Sequence, residues 1–260
     1  MTLHGRVAFV TGGGRGIGRA VAVALAVAGC DVAVLARTRD EVAQVAAEIQ
    51  RLGQRSLAIT ADLADSAAVA VVVEQVHAAL GAPTILVNNA AVVEPLGQTL
   101  QVEPAQWGQA MAINLTSIFA LIHATLPAML TGGWGRIVSI SSSAGEDSGM
   151  TRASAYSVTK AGLEMLTRNL ARELEGTGVT VNALRPGPVD TAMQAHIRSQ
   201  PVERVGQAMH DRFIAAHEKG ALLVPELPAR LLVQIIHGDA TGEIISMDDA
   251  RGQALLNASK

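Results

Sequence analysis

Apolar residues in this chain fall into short unbroken runs that alternate with stretches of helical period. Residues 6–11 (RVAFVT), 31–36 (DVAVLA), 55–60, 84–87, 136–140 (RIVSI), 179–184 and 243–247 are such runs, bounded by Gly, Pro or polar residues. They read as seven strands. Between them lie helical patterns. One spans 16–28 and stops at Gly29. A second spans 38–52 behind the capping box Thr38-Arg39-Asp40-Glu41, and a third spans 66–80 before Gly81 and Pro83. A long helical region then carries Asn114 in its interior, where Asn is a poor residue and a local kink holding a water is one explanation. The helix that opens at Tyr156 repeats Leu163, Leu166, Leu170 and Leu174, and a last one spans 228–237. The apolar run 20–36 is long enough to suggest a membrane span, but Gly29-Cys30-Asp31 divides it into a helix and a strand. Residues 189–226 have a weaker pattern, with Met193, Ile197, Met209, Phe213 and Ile214 among charges, and are expected to form a partly helical lid.

Strands that are apolar nearly throughout and alternate with helices predict an α/β protein, its parallel sheet of about seven strands covered on both faces. Right-handed crossovers make such a sheet doubly wound and put its ligand site at the carboxyl ends of the strands. The 260 residues contain no linker or repeat and fit one domain. A net charge of -3 gives no reason to expect nucleic acid or an anionic membrane as a partner. The single cysteine, Cys30, excludes an internal disulfide and suits a reducing compartment. Residues 1–6 show no signal-peptide pattern, so the expected location is cytoplasmic, with no membrane anchor.

The candidate chemistry lies where strands end. The first strand feeds Thr11-Gly12-Gly13-Gly14-Arg15-Gly16-Ile17-Gly18 and then a helix, the context in which a glycine turn cradles a pyrophosphate at a helix N-terminus. The second strand ends at Arg37 without a carboxylate. Arg37 and Arg15 are placed to hold a 2′-phosphate, which favours NADP(H) over NAD(H). Asp62 follows the third strand, and two uses are open for it: accepting a bond from the adenine amino group, or capping the next turn. Asn88-Asn89-Ala90-Ala91 follows the fourth strand, Ser141-Ser142-Ser143 the fifth, and Arg185-Pro186-Gly187-Pro188 the sixth. Tyr156, the only tyrosine, and Lys160 share a helix face at i and i+4. An ammonium beside a phenol favours the phenolate, making Tyr156 a candidate acid/base. The seven histidines show no HExxH or carboxylate cluster, so no metal is expected.

Together these motifs resemble the short-chain dehydrogenase/reductase family, its single-domain branch, over about residues 6–247. The resemblance rests on TGGGRGIG, Asp62-Leu63, NNAA, Asn114, the serine strand end, YSVTK and Pro186-Gly187. It implies a Rossmann-type fold and an oxidoreductase that moves a hydride between NADP(H) and a ketone or secondary alcohol. Tyr156 would be the acid/base. Lys160 would lower its pKa and bind the nicotinamide ribose, and Asn114 would hold a relay water. The family's strand-end register selects Ser142 to polarise the carbonyl, where the gap to the tyrosine would select Ser143. Carried over in the same way, the cofactor would meet Gly12, Arg15, Gly16, Ile17, Gly18, Arg37, Asp62, Leu63, Asn89, Ala90, Tyr156, Lys160, Pro186, Gly187, Val189 and Thr191. The family also commonly pairs the helices holding Asn114 and Tyr156, so a homodimer or homotetramer is expected, with Ala161 and Gly162 permitting close packing. In general look the chain is nearest to 3-oxoacyl-carrier-protein reductases, yet the turns before the fifth and sixth strands lack the basic residues that dock a carrier. Arg185 could reach a substrate anion, while Glu146-Asp147 would repel one. The alternative is a non-catalytic dinucleotide sensor, but such sensors tend to lose the tyrosine or lysine that this chain keeps.

Overall fold

The computed structural model describes residues 3–146 and 149–257. In chain order it runs β1 (Val7–Thr11), α1 (Gly16–Val27), β2 (Asp31–Ala36), α2 (Arg39–Arg51), β3 (Ser56–Thr60), α3 (Ser66–Leu80) and β4 (Ile85–Asn88). Next come α4 (Pro104–Met111), a π-helical segment (Ala112–Thr116), α5 (Ser117–Thr131), β5 (Gly135–Ile140), α6 (Ser154–Glu173) and β6 (Val179–Arg185). The chain finishes with α7 (Ala192–Arg198), α8 (Val202–Val205), α9 (Gln207–Glu218), α10 (Glu226–His237), β7 (Ile244–Ser246) and α11 (Ala250–Asn257). The strands form one seven-stranded sheet in the order β3-β2-β1-β4-β5-β6-β7, and each neighbouring pair is parallel.

Side chains alternate across the sheet as the pleat requires. Ala8, Val10, Val32, Val34, Ile85 and Val87 join a core with α1, α2 and α10, while Val7, Phe9, Ala33, Leu35 and Leu86 join a second core with α3, α5 and α6. Burial on both faces explains why the strands read as unbroken apolar runs. Arg136 is the exception inside β5. It is 2% exposed and satisfied by the carbonyls of Ile236, Gly135 and Gly178 and by Asp239. Burial still pushes its pKa down, against the opposing pull of Asp239.

Three local readings change. Thr38 stands at the N-cap of α2, but its side chain makes no capping bond. Glu41, the expected partner in the box, turns instead to Arg15 at 3.5 Å. The long helical region is two α-helices joined by a π turn at Asn114, so the misplaced Asn does mark a local irregularity. The chain also ends in a helix, α11, that had no signal in the apolar pattern; its buried residues are Gly252 and Leu256. The stretch Pro104–Thr131 is long and apolar enough to cross a membrane by composition, with a mean hydropathy of 1.6. Here its Ile118, Leu121, Ile122 and Met129 are buried in the core beneath the sheet.

Candidate active site

The order in which the chain adds strands reverses between β1 and β4, which are adjacent in the sheet, and a crevice opens there at the carboxyl ends of the strands. One cleft along this rim is lined by Gly12, Arg15, Gly16 and Ile17, then by Arg37, Asp62, Leu63, Asn89 and Ala90, and finally by Ser142, Tyr156, Lys160, Pro186, Val189 and Thr191. These residues come from widely separated parts of the sequence.

The glycine turn is shaped for a ligand laid on backbone. Gly12 has φ +62°, and a Cβ there would come within 2.7 Å of Asn89 Nδ2 and 2.9 Å of Ala90 Cα. A Cβ at Gly18 would sit 2.2 Å from the Gly12 carbonyl oxygen, so Gly18 sets the close approach of turn and helix and does not itself line the cleft. Asn89 fixes the turn by donating to the carbonyls of Thr11 (2.9 Å) and Gly12 (3.1 Å), while its own amide N–H donates to Thr11 Oγ1 (3.1 Å). The N-terminus of α1, with no acidic residue in its first turn, faces this cradle. A pyrophosphate-bearing dinucleotide fits these donors.

At the far end of the cleft Arg15 and Arg37 are exposed beside Glu41, a carboxylate that strand-end reasoning overlooked because it sits on α2 rather than β2. Asp62 serves one of its two readings openly, since its Oδ1 accepts from the Ala64 amide at 2.9 Å, and it also borders the cleft.

At the other end, α6 presents Tyr156 and Lys160 one turn apart. Ser142 stands extended before a single 3₁₀ turn, and its Oγ accepts from the Ala144 amide at 3.2 Å. Ser142 lines the cleft with Tyr156 and acts to lower its pKa, while Ser143 is exposed and outside the cleft. Lys160 is 2% exposed, and its ammonium donates to the Ile140 carbonyl at 2.6 Å and lies 5.5 Å from the Tyr156 ring centroid. Burial pulls the Lys160 pKa down to about 8, with Glu164 acting in the opposite direction. The expectation that this ammonium depresses the phenol is not met in this arrangement. Burial pushes Tyr156 above its ordinary value, and Ser142 acts in the opposite direction.

Three of the expected residues make other contacts. Gly187, at φ +71°, makes the turn after β6, and its neighbours are Leu223 and Met247 rather than the cleft. Asn114 is fully buried. Its Oδ1 accepts from the Val92 amide at 2.8 Å, and its Nδ2 donates to the Val92 carbonyl (2.8 Å) and Thr159 Oγ1 (3.3 Å), so it stitches the π turn to the loop after β4. Arg185 does not offer itself to a substrate anion. It grips Glu164 through Nε and Nη2 at 2.7 and 2.6 Å, and its Nη1 pairs with Glu146. Asp147, its partner in the expected repulsion, lies outside the described residues. Gly162 meets Leu115 of its own chain, where a Cβ would sit 3.1 Å away, so its small size already has a use within one subunit.

The sequence pattern placed Met193, Ile197 and Phe213 in a lid but gave no sign of Val93 and Met150, nor of how the five meet around Tyr156. Val93, Met150, Met193, Ile197 and Phe213 converge there from the loop after β4, the loop before α6, and helices α7 and α9. Their clustering depends on how α7 to α9 fold back, which no local period reveals.

Comparison with known proteins agrees with this geometry. Residues 6–202 match the short chain dehydrogenase family. Acetoacetyl-CoA reductase of Rhizobium meliloti is 38% identical over 244 residues, covering 93% of this chain and 96% of its own. The 3-oxoacyl-(acyl-carrier-protein) reductase FabG of Pseudomonas aeruginosa is 35% identical over 219 residues, covering 80% and 87%. Among solved structures, a variant of actinorhodin polyketide ketoreductase with NADPH superposes with a TM-score of 0.83 at 31% identity, covering 93% and 95%.

Proposed function

This chain belongs to the short-chain dehydrogenase family and is an NAD(P)-dependent oxidoreductase; from that premise we propose that it reduces an uncharged ketone with NADPH, Tyr156 serving as the acid. The observation that carries the reading is the meeting, on one rim, of the glycine cradle with the Ser142–Tyr156–Lys160 group.

The glycine turn and the α1 N-terminus would hold the pyrophosphate, Arg15 and Arg37 a 2′-phosphate, and Lys160 the nicotinamide ribose. The bound nicotinamide supplies the hydride. Ser142 donates to the substrate carbonyl oxygen, concentrating positive potential where negative charge develops. Tyr156 delivers its proton to that oxygen as the hydride arrives at carbon. Its raised pKa keeps the phenol protonated and ready to donate until the nearby ammonium stabilises the phenolate left behind.

Val93, Met150, Met193, Ile197 and Phe213 bring no charge to the substrate end, and Arg185 is committed to carboxylates. Residues 189–226 act in this reading as a lid, since α7 and α9 supply part of that apolar wall. A 3-oxoacyl thioester is the second reading, favoured by the names of the relatives. The cytoplasm is the proposed setting, consistent with Cys30, whose thiol is buried and pushed up to about 12.

The test is oxidation of NADPH and NADH over a panel of 3-oxoacyl thioesters, diketones, steroids and sugars. Turnover with at least one ketone is expected, falling about 10²- to 10⁴-fold in Tyr156→Phe while NADPH binding persists. Turnover indifferent to Tyr156→Phe would overturn the assignment of the acid. Tight NADPH binding without turnover across the panel would favour the sensor.

A further inference from the structure

Behind the Ser142–Tyr156–Lys160 group lies a second set of charges that the proposed chemistry leaves unused. Glu164 stands one turn after Lys160 on α6 and is 4% exposed. A carboxylate taken so far out of water is costly unless it is paired and hydrogen-bonded. Here it is fully partnered. The Arg185 guanidinium grips both of its oxygens, at 2.7 and 2.6 Å, from the end of β6. Ser141 Oγ donates to Oε1 at 2.7 Å from the residue after β5. Glu146 closes the outer side of Arg185.

One turn earlier on the same face of α6 lies a buried cation. The Lys160 ammonium donates a hydrogen bond to the Ile140 carbonyl at 2.6 Å. The elements packed against α6 leave it short of counter-charge. The π segment (AINLT) and α4 (PAQWGQAM) carry no titratable side chain, and the 3₁₀ turn Ser143–Gly145 carries none. β6 contributes Arg185, a like charge. Glu146 and Asp249 act on Arg185, and Tyr156 is a phenol. Among the described residues Glu164 alone supplies an opposing charge, and without one a buried ammonium tends to lose its proton.

We propose that Glu164, held in place by Arg185 and Ser141, is a positioning residue that keeps the buried Lys160 ammonium charged and so able to support proton delivery by Tyr156. The inference rests on the oxidoreductase reading for its purpose, but its physical content concerns the protein alone. In the reduction direction Tyr156 gives its proton to the carbonyl oxygen, breaking one O–H bond and forming another. The phenolate left behind needs a cation beside it. Glu164 holds that cation charged at working pH, and Arg185 couples the arrangement to the strand end that precedes Pro186-Gly187.

The chain has three lysines, Lys160, Lys219 and Lys260, so a pH titration of the ¹³Cε-lysine NMR signals in the full-length protein resolves each one, with Lys160→Arg making the assignment. The expected midpoint for Lys160 is about 8. In Glu164→Gln it should fall by about one unit, while those of Lys219 and Lys260 stay put. The alkaline limb of ketone reduction should move down with it, lowering kcat more than it raises KM. If Glu164→Gln fails to fold, the paired Glu164→Gln/Arg185→Gln variant, read against Arg185→Gln alone, removes the carboxylate with the like charge already gone and should again lower the midpoint. An unmoved Lys160 midpoint, with only the melting temperature lowered, would overturn the inference and leave the oxidoreductase reading intact. A shifted midpoint in a protein that reduces no ketone would overturn that reading and support the inference.

Discussion

In the proposed reading, cofactor choice turns on three side chains at one end of the cleft. Arg15 and Arg37 favour a 2′-phosphate, while Glu41 opposes it and already pairs with Arg15 at 3.5 Å. Two cations against one carboxylate are the basis on which NADP(H) is proposed. Arg37→Ala is expected to raise KM for NADPH about tenfold or more, the worth of a charge-assisted hydrogen bond, with KM for NADH nearly unchanged. Glu41→Gln should act the other way, lowering KM for NADPH and freeing Arg15. Steady-state kinetics with both cofactors checks both. An Arg37→Ala enzyme that loses NADH and NADPH equally would mean that this end of the cleft binds no 2′-phosphate. Arg37 was visible in sequence because it ends a strand. Glu41 was not, because its place beside Arg15 depends on α2 folding back along α1.

At the level of elements, the π turn between α4 and α5 is the clearest case of a side chain shaping backbone. An extra residue in the turn releases the regular ladder, and Asn114 spends both ends of its amide on Val92. Val92 and Val93 then border the cleft. Asn114→Ala leaves the part-buried Val92 N–H and carbonyl without their partner, at a cost of about 1–2 kcal/mol each, the lower part of the range for a lost partner. The expected result is a urea midpoint lowered to match a loss of about 2–4 kcal/mol, with a raised KM for the ketone as the Val92 loop loosens. Loss of stability with KM unchanged would show that the stitch serves folding alone. An Asn in a helix interior was a usable sign of irregularity; its partner, 22 residues earlier, was not foreseeable from local pattern.

For the whole molecule, Phe119 of α5 and Val158 and Met165 of α6 are large apolar side chains, each about half exposed. They lie on α5 and on α6, the helix that carries Tyr156 and Lys160, and self-association would cover them. Light scattering coupled to size exclusion is expected to show a dimer or tetramer. Phe119→Glu/Met165→Glu should shift it towards monomer while leaving the Ser142–Tyr156–Lys160 group in place. A wild-type monomer at micromolar concentration would refute this. Gly162 is a weaker pointer, because Leu115 of the same chain already uses the space it leaves.

The sequence by itself determined the alternation of strand and helix, the parallel sheet, and the rim where the chemistry gathers. Each of these follows from local pattern: apolar runs need two covered faces, glycine turns need backbone freedom, and i, i+4 spacing puts Tyr156 and Lys160 on one face. Only the tertiary structure decided which charges meet. Arg185, which could have met a substrate anion, closes on Glu164 and Glu146. Lys160, expected to act on a phenol beside it, donates to Ile140, and Glu164 acts against the effect of its burial. Gly187 and Asn114 shape the cleft without lining it. Electrostatic roles depend on distance and burial across elements far apart in sequence, and these exist only once the sheet has brought the ends of its strands together.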